Sequence, residues 1–205
     1  MKGFNSSHSI QMSNSSNSNP VFFIKNDLYR YSGDTSILSF IKHFFLTPGF
    51  QVSFYIRYCN YLRKFFLFKY TLYPILKFLY YRASVKYGIS IPFSCQIGRG
   101  LYIGHFGNIV VHHLAIIGNN CNISHGVTIG LASRGPKRGC PQIGDNVYIG
   151  PGAKIFGGIR VGNNSAIGAN CVVTKDVPEH ATVVGIPGSV ISYKGSEGLI
   201  IRTKQ

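Results

Sequence analysis

From residue 91 onward an aliphatic residue returns at every sixth position. The clearest stretch, Ile143–Pro178, divides without a gap into IGDNVY, IGPGAK, IFGGIR, VGNNSA, IGANCV and VTKDVP. Ile or Val opens each hexad, Gly usually follows, and the fifth residue is Val, Ala, Ile, Ser or Cys. The same frame runs earlier through Ile91, Ile97, Ile103 and Ile109, slips by two residues, and resumes at Ile117, Ile123 and Ile129. A sandwich strand would alternate with period two, so this spacing points to a solenoid. Each hexad is expected to form a short strand and a turn. The first residue fills the interior, the fifth faces inward near a corner and stays small, and Gly or Asn supplies positive φ at the turn. Three hexads close one triangular coil, and coils stack as parallel strands about 4.8 Å apart. The thirteen hexads make roughly four to five coils.

The expected fold class is therefore mainly β: a left-handed parallel β-helix of hexapeptide repeats with an N-terminal α-helical region. The boundaries expected are a disordered, Ser- and Asn-rich tail over 1–20, an aromatic and basic helical region over 21–88, the β-helix over 89–191 and a C-terminal tail over 192–205. In the helical region, Ser53, Arg57, Asn60 and Lys64 follow a four-three-four spacing and predict one polar stripe. Phe54, Tyr58, Tyr61, Leu62 and Phe65 fill the opposite side, and Pro48 and Pro74 break the region into two or three helices. The run Phe65–Tyr81 is short and holds Lys69, Pro74 and Lys77, which argues against a transmembrane helix. Two readings stay open: a cap on the main domain and its sister subunits, or a basic amphipathic surface in peripheral contact with anionic membrane.

Charge sharpens that choice. Lys and Arg number 21 against 6 Asp and Glu, and no acidic residue occurs between Asp34 and Asp145. Such a surface attracts polyanions. The cations cluster with aromatic helix faces and no nucleic-acid motif is present, so no nucleic-acid partner is expected. The first twenty residues lack an apolar stretch, so no secretory signal is expected and a cytoplasmic location is the default, at the inner face of the cytoplasmic membrane if the helices touch lipid. Three of the five cysteines, Cys95, Cys121 and Cys171, fall at the fifth hexad position, where a thiol acts as a small apolar filler. No metal is expected.

The segments IGRGLYIGHFGNIVV, VTIG and AIGANCVVTKDVPEHATVVGIPG resemble the serine acetyltransferase branch of the hexapeptide acyltransferases over about residues 88–191. The resemblance looks closer still to polysaccharide-pathway members such as the colanic-acid-type O-acetyltransferases. It implies acetyl-CoA as co-substrate, a homotrimer with sites between subunits, and His105 as catalytic base. A neutral imidazole is the right group to take a hydroxyl proton near neutral pH. His125 lies twenty residues on, one 18-residue coil plus the slip, and is expected to stack below His105 and touch substrate. The loop Leu131–Gln142 interrupts the hexads, and its Arg134 and Arg138 are expected to meet phosphate or acceptor. The resemblance puts Gly150, Pro151, Gly168 and Ala169 along the pantetheine groove and Lys175 near the nucleotide phosphates.

Three departures from the serine enzymes shape the acceptor expectation. Gly104 stands where they have Asp before the catalytic His, Ser90 where they have the orienting Asp, and Gly139-Cys140 where they have a loop Arg-His. Without those charges a zwitterion would bind poorly, and Ser90 or a backbone carbonyl is left to orient His105. The expectation is an O-acetyltransferase acting on a saccharide, lipid-linked or free, in capsule, exopolysaccharide or O-antigen assembly. Serine O-acetylation, sugar N-acetylation and a metal-dependent β-helix hydratase are the alternatives.

Overall fold

The computed structural model describes residues 19–203. The tail expected over 1–20 lies outside them up to residue 18. Asn19 and Pro20 belong to a helix start: Asn19 caps α1 (Pro20–Ser32) by accepting a hydrogen bond from the Val21 amide, with Pro at the first turn. Four more helices follow: α2 (Ile37–Leu46), α3 (Pro48–Leu62), α4 (Phe66–Lys69) and α5 (Leu72–Tyr87). Pro48 opens α3 and Gly88 closes α5 in the left-handed conformation.

From Ile89 the chain winds into a left-handed parallel β-helix of two- to three-residue strands on three faces, and the strand Ser189–Ser192 adds antiparallel to its last coil. The first face stacks Ile89 on Ile109, Val111 on Ile129, Ile129 on Ile155 and Ile155 on Val173. The second stacks Ile97, Ile117, Ile143 and Val161, and the third stacks Ile123, Ile149, Ile167 and Val183. These aliphatic side chains are buried and form one continuous core. Cys95, Cys121 and Cys171 are buried within it, and burial pushes the Cys121 thiol up to about 12. Asn108, Asn120, Asn146, Asn164 and Asn170 hold positive φ at the corners. Asn120 donates to Asn146 and Asn146 to Asn164, which makes a side-chain ladder along one edge.

The position of the two-residue slip differs from the expected frame. Tyr102 pairs with Asn122, twenty residues on, whereas Val110 pairs with Thr128, eighteen on. The extra residues therefore sit between Tyr102 and Val110, in the turn that carries His105, and not after Ile109 beside His112 and His113. Ile109 and Val111 are both buried, so either aliphatic residue fits the sequence frame and the period alone cannot choose. The loop is where it was expected. Thr128 pairs with Lys154, twenty-six residues on, and an antiparallel bridge between Ala132 and Gly139 closes the excursion.

The helices cap the open N-terminal end of the coil. Val52, Tyr55, Ile56 and Ala83 join the β-helix core. The polar stripe predicted on α3 is not a solvent face. Ser53 and Arg57 are buried, because both engage the buried Asp27 carboxylate of α1, and Arg57 also donates to the carbonyls of Ile97 and Gly98. Such a pair holds only where every polar atom finds a partner. Asp27 meets that condition by also accepting the Leu101 amide. Gly49 lets α3 approach the strand below: a Cβ there would fall 2.1 Å from the Ile103 carbonyl oxygen.

Candidate active site

His105 occupies the exposed turn formed by the two-residue insertion, between Ile103 at the core and Ile109. The strand leading into it is held by Tyr31 of α1, whose hydroxyl accepts the Ile103 amide at 2.9 Å and donates to the carbonyl of the same residue. Tyr31 is half-buried, and burial raises its pKa above the ordinary tyrosine range. An insertion would otherwise leave the turn loose. Here its base is fixed from the helical side.

His125 stands one coil below in the equivalent turn. The two imidazoles are 6.1 Å apart between ring centroids and nearly perpendicular, at 84°. The same corner continues downward. Gly152 donates its amide to the His125 carbonyl, and Asn170 donates to that of Pro151. The register of the third face places Pro151 under His125 and Ala169 under Pro151. His105, His125, Pro151 and Ala169 thus form one column on a single edge, spanning on the order of 14 Å at the spacing of stacked strands. Gly150 and Gly168 lie beside the column, and both are small because the next coil is close: a Cβ on Gly150 would fall 2.8 Å from the Ile167 carbonyl oxygen. The small residues expected along the pantetheine arm are therefore in line with His105.

Other expected residues lie elsewhere. Lys175 is exposed at the next corner, beyond Val173, beside the Asp176 that pairs with Lys137 at 2.7 Å. Arg134 and Arg138 are exposed on the loop that leaves the first face after Gly130, also away from the His105 edge. Ser90 pairs with Val110, and no side chain among the described residues hydrogen-bonds the His105 ring. Below the loop, Cys140 Sγ lies 3.1 Å from His112 Nδ1. Among the described residues no group of three His, Cys, Asp or Glu is placed to hold a metal ion.

A cavity of about 270 Å³ opens beside His105, and most of its wall was not anticipated from the sequence. Tyr102, Asn122, Ser124 and Tyr148 come from the coils, Arg30 from α1, and Leu199 and Ile201 from the C-terminal segment, which folds back along the third face. Asn122 Nδ2 donates to the Leu199 carbonyl and Arg202 to that of Tyr31, which ties the segment down. Arg30 is buried. Burial pulls its pKa below the ordinary arginine value. The available signal was the pair Asp27 and Arg30, charges three residues apart in a short helix that follows a polar tail.

Residues 140–175 match the family model described as bacterial transferase hexapeptide (six repeats). The chain is 36% identical over 148 residues to the serine acetyltransferase of Synechococcus elongatus, covering 72% of this chain and 59% of that one. Its fold is similar to that of Brucella abortus serine acetyltransferase in complex with coenzyme A, at TM-score 0.69 and 31% identity over 83% of this chain and 67% of that one. It is also similar to Neisseria gonorrhoeae serine acetyltransferase in complex with serine, at TM-score 0.67 and 32% identity over 86% and 71%. The chain spans roughly half to three-fifths of the length of the curated relatives it matches, at 51% and 59% of two of them.

These relatives overturn the expectation of a saccharide acceptor in polysaccharide assembly. The closer likeness to polysaccharide-pathway enzymes finds no support among them either. The expectation failed on a physical point. It weighed only the coil and loop positions aligned with the charges of the serine enzymes, whereas Arg30 brings a guanidinium to the cavity from a helix outside the repeat.

Proposed function

We propose, on the premise that this chain belongs to the serine acetyltransferase family of hexapeptide-repeat transferases, that it transfers acetyl from acetyl-CoA to the hydroxyl of serine. The observation that carries the reading is the column His105–His125–Pro151–Ala169. It joins an exposed imidazole to a small-residue edge along which a thin, extended thioester arm can lie. The thioester supplies an activated acetyl group. His105 accepts the hydroxyl proton as the serine oxygen bonds to the acetyl carbon. It returns that proton to the sulfur as the C–S bond breaks, giving the O-acetyl ester and free thiol. Backbone N–H groups of the His105 turn are the donors available to the developing oxyanion. His125 is assigned contact with substrate.

A homotrimer is part of the proposal. Arg134 and Arg138 sit at a different corner from His105 within one chain. They can meet an acceptor or a CoA phosphate at His105 only if a second copy brings its loop to this edge. Thioester loss in the presence of free serine, with detection of O-acetylserine, tests the activity. No turnover on serine by protein that binds CoA would remove serine from the proposal. Light scattering tests the trimer, and a monomer active at the same specific rate would sink the shared site.

A second reading concerns the helices. Phe66, Leu67, Tyr70, Ile75 and Phe78 are exposed beside Lys64, Lys69 and Lys77. This combination suits peripheral contact with anionic lipid. No helix among the described residues is long and apolar enough to cross a membrane. Arg57 drops out of the basic set because it is buried against Asp27.

A further inference from the structure

Three ionic side chains are buried where α1 and α3 meet the first coils: Asp27, Arg57 and Arg30, at 0%, 8% and 2% exposure. They carry one negative and two positive charges. Asp27 is saturated. Its carboxylate accepts from Arg57 Nε and a terminal Arg57 nitrogen, from Ser53 Oγ and from the Leu101 amide. Arg57 is its ion-pair partner. Among the described residues Arg30 has no carboxylate within ion-pair distance. Its nitrogens donate to the Ile201 carbonyl at 2.9 Å, the Gly100 carbonyl at 2.9 Å and Asn122 Oδ1 at 2.6 Å, all neutral acceptors, and its guanidinium lies 5.7 Å from the Tyr102 ring centroid.

A guanidinium has five N–H donors, so three hydrogen bonds leave two unassigned. Burying a cation without an opposite charge is costly, and neutral carbonyls offset only part of that cost. Arg30 nevertheless lines the cavity that His105 also lines. Among the described residues the charge is therefore unbalanced, and the cavity it lines is next to the proposed base. We propose that this cavity is an anion subsite in which Arg30 receives the carboxylate of the acceptor. The inference rests on the serine reading above and adds a specificity determinant to it. Planar guanidinium and carboxylate match in a two-point hydrogen bond, which would fix the acceptor's orientation relative to His105. The cation comes from α1, not from the position on the loop where the serine enzymes carry Arg and this chain has Gly139.

Calorimetric binding to the intact protein tests the subsite separately from turnover. Three probes are needed: L-serine, glycerate (which keeps the carboxylate and loses the ammonium) and ethanolamine (which keeps the ammonium and loses the carboxylate). The wild-type protein should bind serine and glycerate at least tenfold more tightly than ethanolamine. Arg30→Gln should weaken both carboxylates tenfold or more and leave ethanolamine and the KM for acetyl-CoA unchanged. Arg30→Lys should recover part of the loss. Equal binding of serine and ethanolamine to wild type overturns the subsite and needs no variant that must fold. So does an Arg30→Gln protein with wild-type affinity for serine. Arg30-dependent binding of carboxylates without acetylation of serine would sink the serine reading and keep the subsite. Acetylation of serine with an unchanged kcat/KM in Arg30→Gln would do the reverse.

Discussion

His105 and His125 stand in equivalent turns of neighbouring coils, 6.1 Å apart between ring centroids and close to perpendicular. Twenty residues separate them, because the upper turn holds the two-residue insertion. The insertion exposes His105 while leaving Ile103 in the core. His105→Ala should therefore leave the fold intact, with melting unchanged. It should lower turnover by roughly 10²–10⁴-fold, the contribution of a positioned general base. His125→Ala should cost less in kcat and more in the KM for serine. Steady-state kinetics on both variants, beside circular dichroism melts, would check this. An active His105→Ala enzyme would remove the base assignment.

The repeat predicts an equally sharp structural result. Ile155 lies in the middle of the first face, stacked between Ile129 and Val173, with 0% exposure. A carboxylate there would have only aliphatic neighbours and no partner. Ile155→Asp should yield little soluble protein or an expanded, early-melting one, whereas Ile155→Val should cost about 0.5–1.5 kcal/mol. Soluble Ile155→Asp protein with normal melting would contradict the frame.

How much of this was legible depended on whether the pattern was local. Strand positions, inward residues, the cysteine fillers and the loop follow from a six-residue period, since each hexad repeats the same contact with its neighbours. The exact site of the slip was not legible, because Ile109 and Val111 are both aliphatic and both reach the core. The Asp27–Arg57 pair was invisible for another reason. It joins residues thirty apart on two helices, and helical periodicity assigns an Arg on a polar stripe to solvent. Arg30 escaped in the same way: its partners Gly100, Asn122 and Ile201 are at least seventy residues away.

That buried pair carries its own prediction. Asp27→Asn leaves the Arg57 charge enclosed and its neighbours Ser53 and Leu101 with a weaker acceptor. Removing one partner of a buried ion pair costs about 3–5 kcal/mol. Denaturant unfolding should show a loss of that size for Asp27→Asn. The double variant Asp27→Asn with Arg57→Met should recover part of it, since the stranded charge is gone. Additive losses in the double variant would mean that the two residues do not act as a pair.

Thiol chemistry offers a check on the coil interior. Cys59, Cys95, Cys121 and Cys171 are buried and Cys140 is half-buried. Burial pushes the Cys95 thiol up to about 11 and those of Cys59 and Cys121 up to about 12. Near pH 8 these three are protonated and enclosed, and the thiolate is the reactive form. Iodoacetamide should modify the native protein at Cys140 first, and Cys140→Ser should abolish the early phase. Mass spectrometry would locate the label. Early alkylation at Cys121 would show that the coil opens in a way its packing does not suggest.

The helical face makes the last prediction. No residue of α2 or α4 is buried, and Ala83 is the buried residue of α5. Phe66 and Leu67 are exposed by 78% and 74%, more than a structural cap requires of its own chain. Either sister subunits cover this face or it meets lipid. On the lipid reading the flanking cations Arg63, Lys64, Lys69 and Lys77 would each contribute on the order of 1 kcal/mol at an anionic surface, an attraction screened by salt. Binding to vesicles containing anionic lipid should be strong at low salt, weaker at high salt and slight on neutral vesicles. Phe66→Asp should reduce it without changing the oligomeric state or the rate on serine. A protein that stays in the supernatant at low salt, with a Phe66→Asp variant that loses subunits, would assign the face to assembly instead.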